Sequence, residues 1–279
     1  MTAPWLDPGR FPRASRYHPS WAAAAVSGGA NPLLLTEWLT QALPLRPGMR
    51  VLDLGSGRGA SSVFLAREHD VEVWSVDLWF PADERQRRAE DAGVGRRVHA
   101  LRADARVLPF AAEFFDAVVA IDCFGYVGTD DLYLPLLLRH LKPGGQLGIA
   151  GAGLTAELDD GVPAPLTRWW EPTLWSLHSA DWWRRHWERS GLLKVTTADA
   201  MSDAWRSWLS WLELVAPENV VEREAVAADA GAVLTYTRVV AERTATPVEE
   251  PVATIEVDYT DVPVMVADLG AYRPGRLTP

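Results

Sequence analysis

The stretch Val51-Leu52-Asp53-Leu54-Gly55-Ser56-Gly57-Arg58-Gly59 decides how this chain of 279 residues is read. From Met49 to Gly55 the sequence MRVLDLG is a short apolar run, which predicts a strand buried on both faces. Three alternating glycines follow, and a helix is predicted over Ser61 to Glu68. Glycine lets the backbone turn sharply and approach a ligand with no Cβ in the way. The helix start behind it offers unpaired N–H groups. Such loops serve nucleotides in general, so spacing has to narrow the choice. The spacing is G-x-G-x-G rather than the G-x-G-x-x-G of dinucleotide sites, and no Gly-Lys-Ser/Thr follows as it would in a phosphate-binding P-loop. Asp53 stands two residues before the first glycine.

Downstream, strands and helices alternate. Strands are predicted at 71–77, 97–104, 115–124 and 146–153, with helices over the charged segment ADERQRRAEDAG and over 131–141. Lys142-Pro143-Gly144-Gly145 turns the chain into the fifth strand. This rhythm predicts a parallel sheet with right-handed crossovers. Upstream, Asn31-Pro32 opens a helix with apolar residues at Leu34, Leu35, Trp38, Leu39 and Leu43. Residues 1–30 read as an arm or cap, with a short helix around Ser20 to Val26. After Gly153 comes an aromatic-rich insertion at 154–178, then a helix capped by Ser179, a sixth strand at 192–200, helical segments within 201–230 and a last strand at 234–244. Residues 245–279 read as an extension, with a linker TPVEEP and strand-like character at 253–266.

With Asp53 and the G-x-G-x-G loop on the first strand, Asp77 ending the second, Asp104 after the third, Phe115-Asp116 and Asp122 on the fourth and Leu141-Lys142-Pro143-Gly144-Gly145 before the fifth, the chain resembles the class I S-adenosylmethionine-dependent methyltransferases, of small-molecule type. The resemblance is closest over 49–149 and looser to about 244. It implies a doubly wound, seven-stranded, mostly parallel Rossmann-like sheet with an N-terminal helical arm and helical lid insertions. The methyltransferase domain is then 31–244, with the arm before it and the extension after it. The implied cofactor is S-adenosylmethionine, leaving as S-adenosylhomocysteine. Gly55, Ser56, Gly57 and Gly59 would cradle its methionine part, and Asp53 would hold the loop or the amino group. Asp77 would bind the ribose hydroxyls, since a carboxylate accepts from two vicinal donors. Leu78 would cover an adenine face, Asp104 and Ala105 would meet the adenine, and Asp122 and Tyr17 complete the expected cofactor contacts. Asp116 reads as a turn residue.

Methyl transfer from a sulfonium needs a positioned acceptor, and a base only where the nucleophile carries a proton. The acceptor is an O, N or C nucleophile attacking in line. Candidate bases or orienting groups are His178, Tyr126 and Asp122, with Tyr17 and His18 in the arm; His140 and His186 read as structural. The segment Asp122-Cys123-Phe124-Gly125-Tyr126 lacks the Pro-Pro-Tyr pattern of amino-methylating relatives, and no set of acids suggests a metal. Nine of the fourteen tryptophans fall between Trp169 and Trp211; helix spacing makes most of them core, but Trp169 and Trp170 adjoin in a loop. Trp169, Trp170 and Trp175 are therefore expected to line an acceptor lid. The alternative is a non-methylating enzyme on the same fold, or a cofactor-sensing binding protein.

Composition limits the partners. The net charge of −10, from 37 acidic and 27 basic residues, argues against a phosphate-tracking surface and hence against nucleic acid. No apolar run reaches the ~20 residues of a membrane span, and the N-terminus does not read as a secretory signal, so a cytoplasmic location is expected. Cys123 is the one cysteine, which excludes an intrachain disulfide. The C-terminal extension is the candidate surface for oligomerisation.

Overall fold

The computed structural model describes residues 6–25 and 27–248. A short helix α1 (Pro19–Ala24) in the arm precedes α2 (Pro32–Thr40). Asn31 caps α2, its Oδ1 accepting from the N–H groups of Leu33 and Leu34 at 3.1 and 3.2 Å. Then follow β1 (Arg50–Leu54), α3 (Ala60–His69), β2 (Glu72–Asp77), α4 (Ala82–Asp91), β3 (Val98–Arg102), β4 (Phe115–Ile121), α5 (Tyr133–Leu138) and β5 (Leu141–Leu154). The chain continues through α6 (Ala180–Glu188), β6 (Leu193–Ala200), α7 (Ala204–Val215), α8 (Val220–Asp229) and β7 (Leu234–Arg243).

The seven strands form one sheet in the order β3-β2-β1-β4-β5-β7-β6. All neighbours are parallel except β7, which runs antiparallel to both β5 and β6. This is the seven-stranded, mostly parallel sheet expected from the motifs. β1 lies between two parallel partners, which explains why its sequence is a continuous apolar run rather than an alternating one. Its residues still divide by face. Val51 joins Val73, Val119 and Val240 in a layer under the arm, α2, α3, α7 and α8. Leu52 and Leu54 join Val118, Leu147 and Val239 in a second layer under α5 and α6. Leu33, Leu34, Leu35 and Leu39 are wholly buried on α2. Each contributes about 1.5–3 kcal/mol by leaving water.

Three expectations are refined. The fifth strand begins at Leu141, and Lys142 to Gly145 form an irregularity within it, where the register with β4 jumps from Phe115↔Leu141 to Ala117↔Gln146. Asp116 lies opposite this jump. It accepts from Lys142 Nζ at 2.5 Å and Arg50 N at 2.8 Å, so it joins the starts of β1 and β5 at the end of the sheet away from the glycine loop. The helix expected over 131–141 spans only Tyr133–Leu138. The strand-like segment 253–266 lies outside the described residues.

The order of strands fixes where a ligand can sit. The chain builds outward from β1 through β2 to β3, then crosses back to place β4 on the other side of β1. The connections after β1 and β4 therefore leave in opposite directions, and a crevice opens at the carboxyl ends of these strands.

Candidate active site

Register places the key residues side by side. Leu54 pairs with Val76 on one side and Ala120 on the other, so Gly55, Asp77 and Ile121 stand abreast at the sheet's carboxyl edge. Gly55 and Gly57 have φ of 66° and 54°, the left-handed region that L side chains rarely adopt. Space adds a second constraint. A Cβ on Gly55 would stand 2.5 Å from the Cys123 Sγ, and one on Gly57 would collide with the Ser27 hydroxyl. Gly59, also with positive φ, stands at the N-cap of α3. Ser56 points away from the crevice: its hydroxyl meets that of Ser75 at 2.8 Å inside the sheet.

Asp53 is fully buried. Its Oδ2 accepts from the hydroxyls of Ser61 and Ser62 at 2.7 and 2.5 Å, joining the end of β1 to the first turn of α3. Its Oδ1 is buried without a partner. Burial pushes this carboxyl up to about 6, against the opposing hydrogen bonds of Ser62 and Ser61 and the charge of Arg85. Asp77 turns back onto the glycine loop. Its Oδ2 accepts from Gly57 N at 2.8 Å, and its Oδ1 from Trp79 N and Phe80 N at 2.8 and 3.0 Å. Below them Arg85 of α4 is buried and donates to the carbonyls of Phe80, Ser75 and Leu101, fixing the ends of β2 and β3.

Asp104, beyond the end of β3, is gripped by Arg106 through Nε at 2.9 Å, Nη2 at 2.6 Å and the backbone N at 2.9 Å. Burial alone would raise its carboxyl, but these bonds and the Arg106 charge hold it below the usual range. The Ala105 carbonyl accepts from Tyr133 Oη at 3.2 Å. Leu78 and Trp79 are exposed at the rim, and Trp79 meets Tyr126 edge to face with ring centres 5.7 Å apart. This pair joins the turn after β2 to the turn after β4 across the mouth of the crevice.

The arm closes the other side. Asp122 accepts from Ala30 N at 2.7 Å and from Ala152 N at 2.9 Å, so its carboxylate fastens the arm to β5. Burial raises this carboxyl above its ordinary value against those two N–H bonds. Ser27 Oγ accepts from Arg58 N at 2.9 Å, and Trp211 Nε1 donates to the Gly29 carbonyl at 3.2 Å. Tyr17, expected at the cofactor, is a correction. Its ring stacks on Phe64 and its hydroxyl donates to Glu68 at 3.3 Å, near the far end of α3 from the glycine turn. His18 caps α1 instead of facing the crevice.

His178 lies where β5 ends, its carbonyl accepting from Leu154 N at 3.2 Å. Its ring stacks on Trp182, 3.6 Å between centres and 6° between planes, and its Nδ1 meets Glu157 Oε2 at 2.8 Å. Of the loop tryptophans, Trp169 and Trp170 are half-buried, meeting each other edge to face at 6.3 Å, while Trp175 is exposed and meets Trp170 at 5.4 Å. Trp183 and Trp187, one turn apart, are buried as helix spacing predicts; of the second such pair Trp208 is buried and Trp205 half-buried, and Trp211 is buried too. His186 and His140 are buried and bound to the carbonyls of Gly128 and Ala111.

Sequence reading missed Glu157, Ser27, Arg106, Arg85 and Cys123 as parts of this neighbourhood. None has a motif. Arg106 lies two residues from Asp104; the others are brought in by contacts distant in sequence, such as Cys123 Sγ to the Leu54 carbonyl at 2.9 Å. Burial and the charges of Asp53, Asp77 and Asp122 raise that thiol well above its ordinary value. No group of three or more His, Cys, Asp or Glu side chains among the described residues is arranged to hold a metal ion.

Residues 51–145 match the family model described as a methyltransferase domain. These residues carry the likeness to the class I S-adenosylmethionine-dependent methyltransferases. It is 34% identical over 127 residues to the methyltransferase GfsG of Streptomyces halstedii, covering 45% of this chain and 46% of that one. It is 29% identical over 195 residues to 27-O-demethylrifamycin SV methyltransferase of Amycolatopsis mediterranei, covering 69% and 71%. The alignment thus spans less than two thirds of the first of these relatives. Among solved structures, the [4+2]-cyclase SpnF superposes with a TM-score of 0.61 at 20% identity, over 78% of this chain and 83% of that one. The geranyl diphosphate C-methyltransferase of Streptomyces coelicolor A3(2) gives 0.56 at 22%, over 75% and 78%. At these identities the two structures establish the fold alone. The residues of this methyltransferase domain suit the family's cofactor. The glycine turn bares its backbone, Asp77 sits abreast of it, and a Cβ at Gly55 or Gly57 would fill the space the turn leaves.

Proposed function

We propose that this chain transfers a methyl group from S-adenosylmethionine to a small-molecule acceptor. The observation that carries the reading is the alignment of Gly55 and Asp77 at the carboxyl edge, with Asp104 beyond the neighbouring strand. In this reading Gly55, Gly57 and Gly59 present backbone to the methionine part of the cofactor. Asp77 keeps one spare lone pair, on Oδ2, for a ribose hydroxyl while holding the loop, and Leu78, Asp104 and Ala105 border the adenine. Asp53 acts through the loop, since its carboxylate is sealed under α3. The cofactor brings the reactive carbon and its leaving group; the chain's own work is to orient an acceptor and to exclude water.

Residues 154–178 form the acceptor lid in this reading, with Trp169, Trp170 and Trp175 as its apolar wall. Asp122 serves as a latch for the arm, both of its oxygens being engaged by backbone. Tyr126 borders the mouth of the crevice, and His178 is the group free to meet a proton. The net charge of −10 supports a small-molecule acceptor over nucleic acid. No helix among the described residues is long and apolar enough to cross a membrane. A cytoplasmic location and association through 245–279 belong to the same proposal.

Calorimetry with S-adenosylhomocysteine and NAD, followed by incubation of methyl-labelled cofactor with candidate acceptors, tests the function. Micromolar binding of S-adenosylhomocysteine and label in a small product are expected. Tighter binding of NAD would overturn the cofactor, and cofactor consumption without labelled product would overturn methyl transfer.

A further inference from the structure

We infer that Glu157 and His178 form a proton-accepting pair for an acceptor subsite that takes a ring-borne, ionisable hydroxyl, a phenol or an enol. The inference rests on the proposed methyl transfer and adds to it the class of acceptor and a positioning residue.

Glu157 is engaged at both oxygens. Oε1 accepts from Ser179 N at 2.8 Å and Ser179 Oγ at 2.7 Å, and Oε2 meets His178 Nδ1 at 2.8 Å. Burial alone would raise this carboxyl, yet the bonds from Ser179 and His178 hold it below its usual range. An ionised Glu157 accepts, so Nδ1 carries the hydrogen, and in the neutral ring Nε2 then carries the lone pair. The ring is clamped from one face by Trp182. Such a carboxylate fixes the tautomer and stabilises the imidazolium formed when Nε2 takes a proton.

The pair borders a cavity of about 150 Å³, whose other walls are Leu154, Leu158, Leu177, Trp175 and Asp159. A space of roughly this size admits one benzene-sized ring. Three leucines and a tryptophan suit a flat apolar body, and His178 and Glu157 supply the polar end. The cavity is not remote from the crevice. A Cβ on Gly125, in the turn after β4, would stand 3.2 Å from the Ser176 carbonyl, two residues before His178.

The chemistry balances. The acceptor O–H bond breaks, its electron pair stays on oxygen and its proton joins Nε2. Oxygen then bonds the methyl carbon as the carbon–sulfur bond breaks, with that pair returning to sulfur. The positive charge once on the sulfonium ends on the imidazolium, which releases its proton to water. The other ionisable groups near His178 are Glu157, Asp159 across the cavity and His186, whose ring stacks on the same Trp182 at 4.6 Å.

The test uses the full chain loaded with S-adenosylhomocysteine and 4-nitrophenol as the probe. At a pH where free 4-nitrophenol is mostly protonated, the wild type is expected to give a saturable phenolate absorbance. His178→Gln and Glu157→Gln should each weaken that signal at least tenfold while binding S-adenosylhomocysteine normally, as expected for loss of a charge-assisted partner. Glutamine can still accept from Ser179, so the helix cap survives in Glu157→Gln. No phenolate signal in the wild type, or an equal one in His178→Gln, would overturn the inference. A readout independent of the variants is the nitrogen NMR spectrum of His178 in the wild type near neutral pH. Protonation at Nε2 with a bare Nδ1 would also overturn it. If S-adenosylhomocysteine itself does not bind, it is the proposed function that fails.

Discussion

Replacing Asp77 by alanine removes a carboxylate that holds three backbone N–H groups and stands beside the glycine turn. The bond to Gly57 N lies inside the turn, and a bond to a charged acceptor is worth about 1.5–3 kcal/mol. The N–H groups of Trp79 and Phe80 are nearer the surface, where water can replace the carboxylate, so each adds only about 0.5–1 kcal/mol. The whole substitution should therefore cost about 2.5–5 kcal/mol, which for a domain of this size lowers the melting temperature by roughly 5–20 °C. Asparagine keeps one carbonyl oxygen, enough for Gly57 or for the Trp79–Phe80 pair but not for both, so Asp77→Asn should melt between the wild type and Asp77→Ala. Both variants also lose acceptors for the ribose hydroxyls, and affinity for S-adenosylhomocysteine should fall at least tenfold, about 1.4 kcal/mol. Scanning calorimetry and titration calorimetry on the same samples read the two effects apart. An alanine variant melting within about 2 °C of the wild type would refute the loop-holding role. A folded variant binding S-adenosylhomocysteine within about threefold of the wild type would refute the ribose contact.

Two further outcomes follow from buried carboxylates. Asp53 is raised in the folded chain to about 6 from an ordinary 3.8, so the folded state holds its proton over a range where the unfolded chain has lost it. Its contribution to stability is then fullest below about pH 4 and declines as pH rises through 6, by up to about 3 kcal/mol. Unfolding free energies of the wild type and Asp53→Asn, compared from pH 4 to 7, should converge or cross in that sense, and a constant difference would contradict it. Asp122→Ala should release the arm from β5, because Ala30 N and Ala152 N lose their acceptor. Limited proteolysis within 26–31 should then accelerate at least tenfold while the sheet stays folded, and an unchanged cleavage rate would show that Trp211 and Ser27 hold the arm unaided.

The sequence by itself determined the elements whose causes are local. Asn31-Pro32 fixed the start of α2, because a side-chain cap and a preset φ act within one turn. The apolar runs of β1 and β4 and the intervening helices forced a sheet covered on both faces, and the glycine spacing marked which strand end would be bare. The one-turn spacing of Trp183 with Trp187 and of Trp205 with Trp208 marked core faces, of which Trp183, Trp187 and Trp208 are buried. Tertiary structure decided which way the side chains at that bare end turned. Asp77 turned inward to the loop, Asp122 became a latch and Tyr17 went to α3, because each satisfied its polar atoms with the partner that folding brought nearest. The pairing of Glu157 with His178 is the fullest case. Twenty-one residues and an irregular loop separate them, no periodicity links them, and only the meeting of the loop with the end of β5 sets their oxygen and nitrogen 2.8 Å apart.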